Sequence, residues 1–388
     1  MKEHCPLAVV WDERFLEYDM GEGHPFNEKG RALGERLLRT MGFLPPKGKG
    51  TAWQITEVEP ATREELESFH LPHFLDVVYE EGHKTYPGIL DSGDTPAFPH
   101  VYEASSRIVG GTLAGLNTIL EDPRTHATNF SGGLHHAAPG RASGFCVFND
   151  AAIGVAMALK KLSRVLYIDI DAHHGDGVMY GFYSNGKVLD IDFHQDGRTL
   201  FPGSGALYET GEADGKGLKV NVPLPPGAGD EAFIPLFKRI VPVMVRDFKP
   251  ELILMQSGVD GHVGDPLAHL QYTPAAYSMA VDMLHELAHE VCGGRFLFIG
   301  GGGYLASNIS RVLAREALIV SGENVPEDKE EMPPKWRDTF LELAGEEAPK
   351  TWGQIPPLYP SHWKDEKEEK IIEDLQRGLG KKFPKVSA

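Results

Sequence analysis

The chain of 388 residues is 41% hydrophobic, which supplies the core of one large α/β domain or two smaller ones. Its formal net charge of −18 excludes direct nucleic-acid binding as a main activity, because phosphate contacts need basic surface, and it favours cationic partners. No apolar run reaches the ~18–20 residues of a membrane helix, and Met1-Lys-Glu-His-Cys-Pro6 lacks an apolar signal region, so a cytoplasmic location without membrane contact is expected.

Short β-branched or apolar runs predict strands at residues 8–11, 52–58, 127–130, 165–170, 188–193, 218–222, 252–256 and 296–299. Helical patterns fall between most of them, at 28–41, 101–120, 150–161, 231–246, 274–291 and 306–319. Strand alternating with helix over this length predicts a parallel sheet covered by helices on both faces. No linker breaks the pattern before about residue 322, so 1–321 reads as one domain and 322–388 as a carboxyl-terminal extension. That extension is rich in proline and charge, and Trp336, Trp352 and Trp363 along it predict that it packs on the domain. Three widely spaced cysteines, Cys5, Cys146 and Cys292, include no Cys-x-x-Cys pair, which argues against a disulfide framework and against a thiolate zinc site.

The predicted strand ends carry the chemistry. Arg164-Val-Leu-Tyr-Ile168 runs into Asp169-Ile-Asp-Ala-His-His-Gly-Asp-Gly177. Side chains alternate along a strand, so Asp169, Asp171 and His173 project the same way. Carboxylates and an imidazole gathered at one point are costly to bury unless a cation neutralises them. The strand at 252–256 ends in Ser257-Gly-Val-Asp260, and Asp171, His173 and Asp260 together make a zinc set with an open fourth position. Another strand leads to Ser131-Gly-Gly-Leu-His-His136, and the last one opens into Gly300-Gly-Gly-Gly-Tyr304. His174 follows a ligand and points the other way, so packing is expected for it.

Gly132-Gly-Leu-His-His-Ala137, Ser143-Gly-Phe-Cys146, Asn149-Asp150, Asp169 to Gly177, Phe201-Pro-Gly203, Asp260 with Gly264-Asp-Pro266, and Gly300 to Tyr304 resemble, in order, the zinc-dependent histone deacetylase superfamily. His24-Pro-Phe-Asn27 and Asp265-Pro-Leu-Ala-His-Leu270 bring it nearest the bacterial and archaeal acetoin-utilisation type. The resemblance implies the arginase/deacetylase fold, a single eight-stranded, mainly parallel sheet flanked by helices on both faces. It implies one Zn2+ per chain and hydrolysis of acyl-lysine in proteins or peptides. It pairs His135 with Asp169 and His136 with Asp176; His136 is then the candidate general base and His135 an electrostatic partner or proton donor, with the two roles open to exchange. Tyr304 is placed as oxyanion donor, Phe145 and Phe201 as walls of an acyl-lysine channel, Gly144 as a backbone acceptor and Asp94 as a rim carboxylate. A monovalent cation, K+ or Na+, is implied at Asp169, Asp192 and backbone oxygens of Asp171, His173 and Phe193. A peripheral second one is implied at backbone of Phe182, Asn185 and Val188. A homo-oligomer is compatible with the family.

Three rival readings have sequence tests. An arginase-like dimetal enzyme needs an acidic ligand four residues beyond Asp171, where this chain has Gly175. A silent binding module sits badly with the presence of Tyr304. A polyamine deacetylase carries an acidic gatekeeper in the loop after the last zinc ligand, and that position holds Leu267.

Overall fold

The computed structural model describes residues 5–44, 52–55, 57–86, 88–91, 93–360 and 363–379. Thr56, inside the strand expected at 52–58, and the last nine residues of the extension lie outside these. Eight strands form one sheet: β1 (Leu7–Val10), β2 (Ala52–Ile55), β3 (His126–Asn129), β4 (Val165–Asp169), β5 (Val188–Gln195), β6 (Lys219–Leu224), β7 (Leu252–Gln256) and β8 (Phe296–Ile299). Their order is β2-β1-β3-β8-β7-β4-β5-β6 and every pairing is parallel. The expected sheet is therefore present, wholly rather than mainly parallel.

Alternation along the strands splits the core in two. Leu7, Val9, Leu166, Ile168, Leu189 and Ile191 face one layer, built on helices Lys29–Thr40, Asp230–Phe248, Pro274–Cys292 and Ala306–Val320. Ala8, Val10, Val165, Tyr167, Leu252 and Leu254 face the other, built on Val101–Glu121 and Asp150–Ala158. Burial on both faces explains why these strands read as continuous apolar runs. The helix Pro72–Gly82 was not expected; proline at its start is a good first-turn residue, and Phe74, Leu75 and Val78 bury one face.

Described residues beyond 322 join the first layer. Trp336 and Phe340, on the helix Pro334–Ala344, and Trp352 are buried there, and Trp336 Nε1 donates to the Leu33 carbonyl at 2.8 Å. A further helix, Asp365–Leu379, inserts Ile372, Leu375 and Leu379, and Arg239 holds it through Glu368 and Glu369 at 2.7 Å each. Among the described residues no helix is long and apolar enough to cross a membrane.

Chain order reverses where β8 and β7 lie between β3 and β4, and a parallel sheet opens a crevice at the carboxyl ends there. Asn129, Ile299, Gln256, Asp169 and Asp192 stand side by side across these strands. Each loop that follows delivers site residues into the crevice.

Candidate metal centre and active site

Strand β4 ends at Asp169, and the turn beyond it folds back through its own amides. Asp171 N–H donates to Asp169 Oδ1 at 3.0 Å and His173 N–H to Asp171 Oδ1 at 2.9 Å. His173 Nδ1 then lies 2.8 Å from Asp260 Oδ2 and 3.2 Å from Asp171 Oδ1. The three residues are buried, and their ligand atoms lie within 4.8 Å of one another. Backbone amides orient the outer oxygens: Gly302 N–H donates to Asp171 Oδ2 at 2.6 Å and Ala172 N–H to Asp260 Oδ1 at 2.7 Å.

This cradle fits zinc by two observations. A Cβ on Gly302 would lie 2.0 Å from Asp260 Oδ2 and 2.9 Å from Asp171 Oδ2, and one on Gly258 would lie 2.0 Å from Asp171 Oδ2, so glycine alone lets the backbone close around the carboxylates. Two buried carboxylates in contact also repel unless a cation stands between them, and two oxygens with one imidazole are a three-ligand zinc set. Adjoining this cradle, among the described residues, a second divalent ion has no such place. A side chain at Gly175 would begin 2.6 Å from Asp169 Oδ2 and 3.3 Å from His135 Nδ1.

The two histidines sit beside this cradle with carboxylates behind them. His135 Nδ1 is 2.8 Å from Asp169 Oδ2 and His136 Nδ1 is 2.7 Å from Asp176 Oδ1, while their Nε2 atoms face each other at 3.0 Å. Burial disfavours charge on both rings. At His135 the carboxylates of Asp169 and Asp171 outweigh it and raise the pKa to about 10; at His136 burial, reinforced by His135, lowers it to about 4. Their loop is pinned from beneath: Asp150 accepts from Gly133 and Leu134 N–H, and Asn149 Nδ2 donates to the His135 and Ala137 carbonyls at 2.9 Å.

Phe145 and Tyr304 meet edge to face with centroids 6.0 Å apart; Phe201 stacks edge-on to His136 at 5.0 Å and remains 43% exposed at the mouth. Beside Tyr304 lies a cavity of about 10 Å³, the space of one water, lined by Phe26, His135, His136, Gly144, Asp171 and Tyr304, among others, and neither Phe145 nor Phe201 reaches its lining. Gly144 has φ +53°, and a Cβ there would lie 2.6 Å from His136 Cδ2. Phe145, next to it, takes φ 67°, which L-residues rarely adopt. Tyr18 holds that turn: its hydroxyl donates to the Phe145 carbonyl at 2.6 Å and accepts from Val147 N–H at 3.1 Å. Burial and the carboxylates of Asp260 and Asp171 push the Tyr304 phenol well above its ordinary pKa, so it remains a proton donor.

Sequence reasoning missed four supporting residues. Tyr167 donates to Asp169 Oδ2 at 2.6 Å, and Asp265 accepts the Tyr304 N–H at 2.9 Å. Tyr18 and Phe26 complete the set; Phe26 and Asp265 each lie inside a motif that carried the resemblance, whereas Tyr18 and Tyr167 lie in none of them. The rim residues stand further out. Asp94 is exposed; its carbonyl receives His24 Nε2 at 3.2 Å, and the neighbouring Thr95 hydroxyl accepts from Phe145 N–H at 3.0 Å. Leu267 is half-buried on the Asp265 loop and is absent from the cavity lining. His174 packs as expected, against Ser204 Oγ at 2.8 Å and Met179 sulfur at 3.3 Å.

The expected cation positions differ from one another. Asp169 and Asp192 pair across β4 and β5, but Asp192 is already engaged, Oδ1 with His194 Nδ1 at 2.6 Å and Oδ2 with Gly175 N–H at 2.7 Å. At the peripheral position the residues do not fit an added ion. The fully buried ammonium of Lys219 donates to the Val188 carbonyl at 2.8 Å, so the chain supplies the positive charge itself.

A family model described as Histone deacetylase domain matches residues 24–319. The chain is 35% identical over 361 residues to the acetoin utilization protein AcuC of Bacillus subtilis (strain 168), covering 91% of each. It is 36% identical over 364 residues to the protein of that name from Staphylococcus aureus (strain MSSA476), again 91% of each. With the one from Staphylococcus xylosus it shares 34% over 385 residues, 94% of this chain and 92% of that one.

Proposed function

The chain belongs to the histone deacetylase family, and from that membership we propose that it hydrolyses the amide of acetyl-lysine, or another short acyl-lysine, in proteins or peptides. The observation that carries this reading is the meeting of two His–carboxylate dyads, an Asp-His-Asp cradle and Tyr304 around one narrow cavity. Zinc, held by Asp171, His173 and Asp260, would supply a Lewis acid and lower the pKa of a water to about 7.

The chain's own groups account for the rest. Asp176 on Nδ1 fixes the His136 tautomer and leaves the proton off Nε2, which lies 3.0 Å from His135 Nε2, and an uncharged imidazole lining the cavity is suited to accept the proton of the attacking water. His135, favoured as the cation, offsets developing negative charge and is the candidate to protonate the leaving amine. A divalent ion on Asp171 would take back the part of that preference which Asp171 provides. The Tyr304 phenol donates to the acyl oxygen as it becomes an oxyanion. Phe145 and Phe201 give the lysine methylenes an apolar passage, and Asp94 stands where a peptide amide would meet the rim. A monovalent cation held by Asp169, Asp192 and backbone oxygens of Asp171, His173 and Phe193 belongs to the same reading.

The experiment compares kcat/KM for an acetyl-lysine peptide with that for N-acetylputrescine and N8-acetylspermidine. A leucine offers a polyamine ammonium nothing, so the peptide is expected to win and Leu267→Glu to narrow the gap. Preference of the native enzyme for the polyamine would overturn the substrate assignment.

A further inference from the structure

A second cluster of ligand-type side chains lies at the opposite, amino-terminal end of the sheet. Cys5 precedes β1, His126 opens β3, and His285 and His289 stand one turn apart near the end of the helix Pro274–Cys292. His285 Nε2 is 3.1 Å from His126 Nε2 and 3.0 Å from His289 Nε2, and Cys5 Sγ is 3.5 Å from His289 Nε2. All four ligand atoms lie within 4.8 Å of one another. The three rings stand nearly perpendicular to each other, at 89°, 84° and 78°, with centroids 4.8–5.1 Å apart.

Hydrogen bonding explains this arrangement poorly. A ring nitrogen carries a proton or a lone pair but not both, so the three Nε2 atoms are matched only if His285 shares a single proton or a single lone pair between His126 and His289. Three lone pairs and a sulfur turned toward one centre are, by contrast, a complete tetrahedral set for a borderline-soft divalent ion. With four protein ligands no position is left for water, which is the closed form of a structural site rather than a catalytic one. We propose that Cys5, His126, His285 and His289 bind a second divalent transition-metal ion, Zn2+ or one of similar preference, that clamps the chain before β1 to β3 and to the helix behind them. The deprotonated thiol forms the metal–sulfur bond and releases its proton to solvent, with no change of oxidation state.

The test uses the full chain carrying Asp171→Ala, which removes a ligand of the other cradle and leaves this cluster intact. Co2+ added to the metal-stripped protein is expected to bind one per chain and give a thiolate-to-cobalt charge-transfer band, and Zn2+ to raise its Tm. Cys5→Ser on that background is expected to abolish the band, and His285→Ala to weaken metal binding by at least about 10²-fold. No thiolate band in the Asp171→Ala protein, or a band that survives Cys5→Ser, overturns the proposal. Because the Asp171→Ala measurement needs no second variant, the proposal stays testable if the others fail to fold. Neither result depends on turnover, so the deacetylase reading stands or falls separately.

Discussion

One methyl group at position 302 would fall inside the carboxylate cradle, 2.0 Å from Asp260 Oδ2. Gly302→Ala is therefore expected to remove tight divalent-ion binding at this cradle while the Asp-His-Asp side chains stay unchanged. Calorimetric titration of the metal-stripped protein reads this out, and affinity equal to that of the native chain would refute the cradle. Under the proposed hydrolysis Tyr304 would contribute differently, its phenol mattering most when the acyl oxygen carries charge. Tyr304→Phe keeps the ring against Phe145 and loses one donor, so kcat is expected to fall by about 10²–10³ with substrate affinity retained. A loss confined to affinity would make Tyr304 a binding residue.

At the scale of elements, β7 and the helix Ala306–Val320 meet through a buried carboxyl group. Ser257, just past β7, donates its hydroxyl to Glu316 Oε1 at 2.5 Å, and Glu316 Oε2 has no partner among the described residues. Burial raises the Glu316 pKa to about 8 from an ordinary 4.5. A folded pKa above the unfolded one means the native state holds the proton more tightly. Its stabilising contribution is then complete below about pH 4.5 and is lost as pH rises through about 8. Glu316→Gln mimics the protonated form. It should leave Tm near the native value at pH 4–5 and raise it at pH 9, by a free energy on the order of a few kcal/mol. Equal shifts at both pH values would show that Glu316 does not titrate in this way.

Across the whole molecule, the extension belongs to the core that the sheet shares with its helices. Trp336, Phe340 and Trp352 are each buried, and burying such a side chain contributes about 1.5–3 kcal/mol against a total stability of about 5–15 kcal/mol. A chain ending at Ser321 is expected to lose cooperative unfolding and near-ultraviolet dichroism. A sharp transition within a few degrees of the full-length Tm would instead make the extension an appendage.

The strands and the long helices were legible from sequence because both faces of a parallel sheet are buried and local pattern alone marks them. The Asp171, His173 and Asp260 triad was legible because its residues follow strand ends, whereas the two dyads and the place of Tyr304 were legible through the family resemblance of their motifs. Expectation and structure part where contacts cross the chain. The helix Asp365–Leu379 hides in a charged stretch, since its few apolar side chains acquire meaning only beside Leu207 and Arg239. Lys219 is an unremarkable lysine in sequence, and only the approach of β5 and β6 brings its ammonium to the Val188 carbonyl. The argument against a thiolate zinc site rested on the absence of a Cys-x-x-Cys pair, and Cys5 meets His289 across 284 residues, where spacing carries no information. Sequence by itself determined which strand ends bear the clustered carboxylates and imidazoles, because alternation and turn chemistry are local. Tertiary structure alone decided what supports them, Tyr18, Tyr167 and Asp265, and what gathers Cys5, His126, His285 and His289 at the amino-terminal end of the sheet, because those contacts depend on strand order and on which helices cover each face.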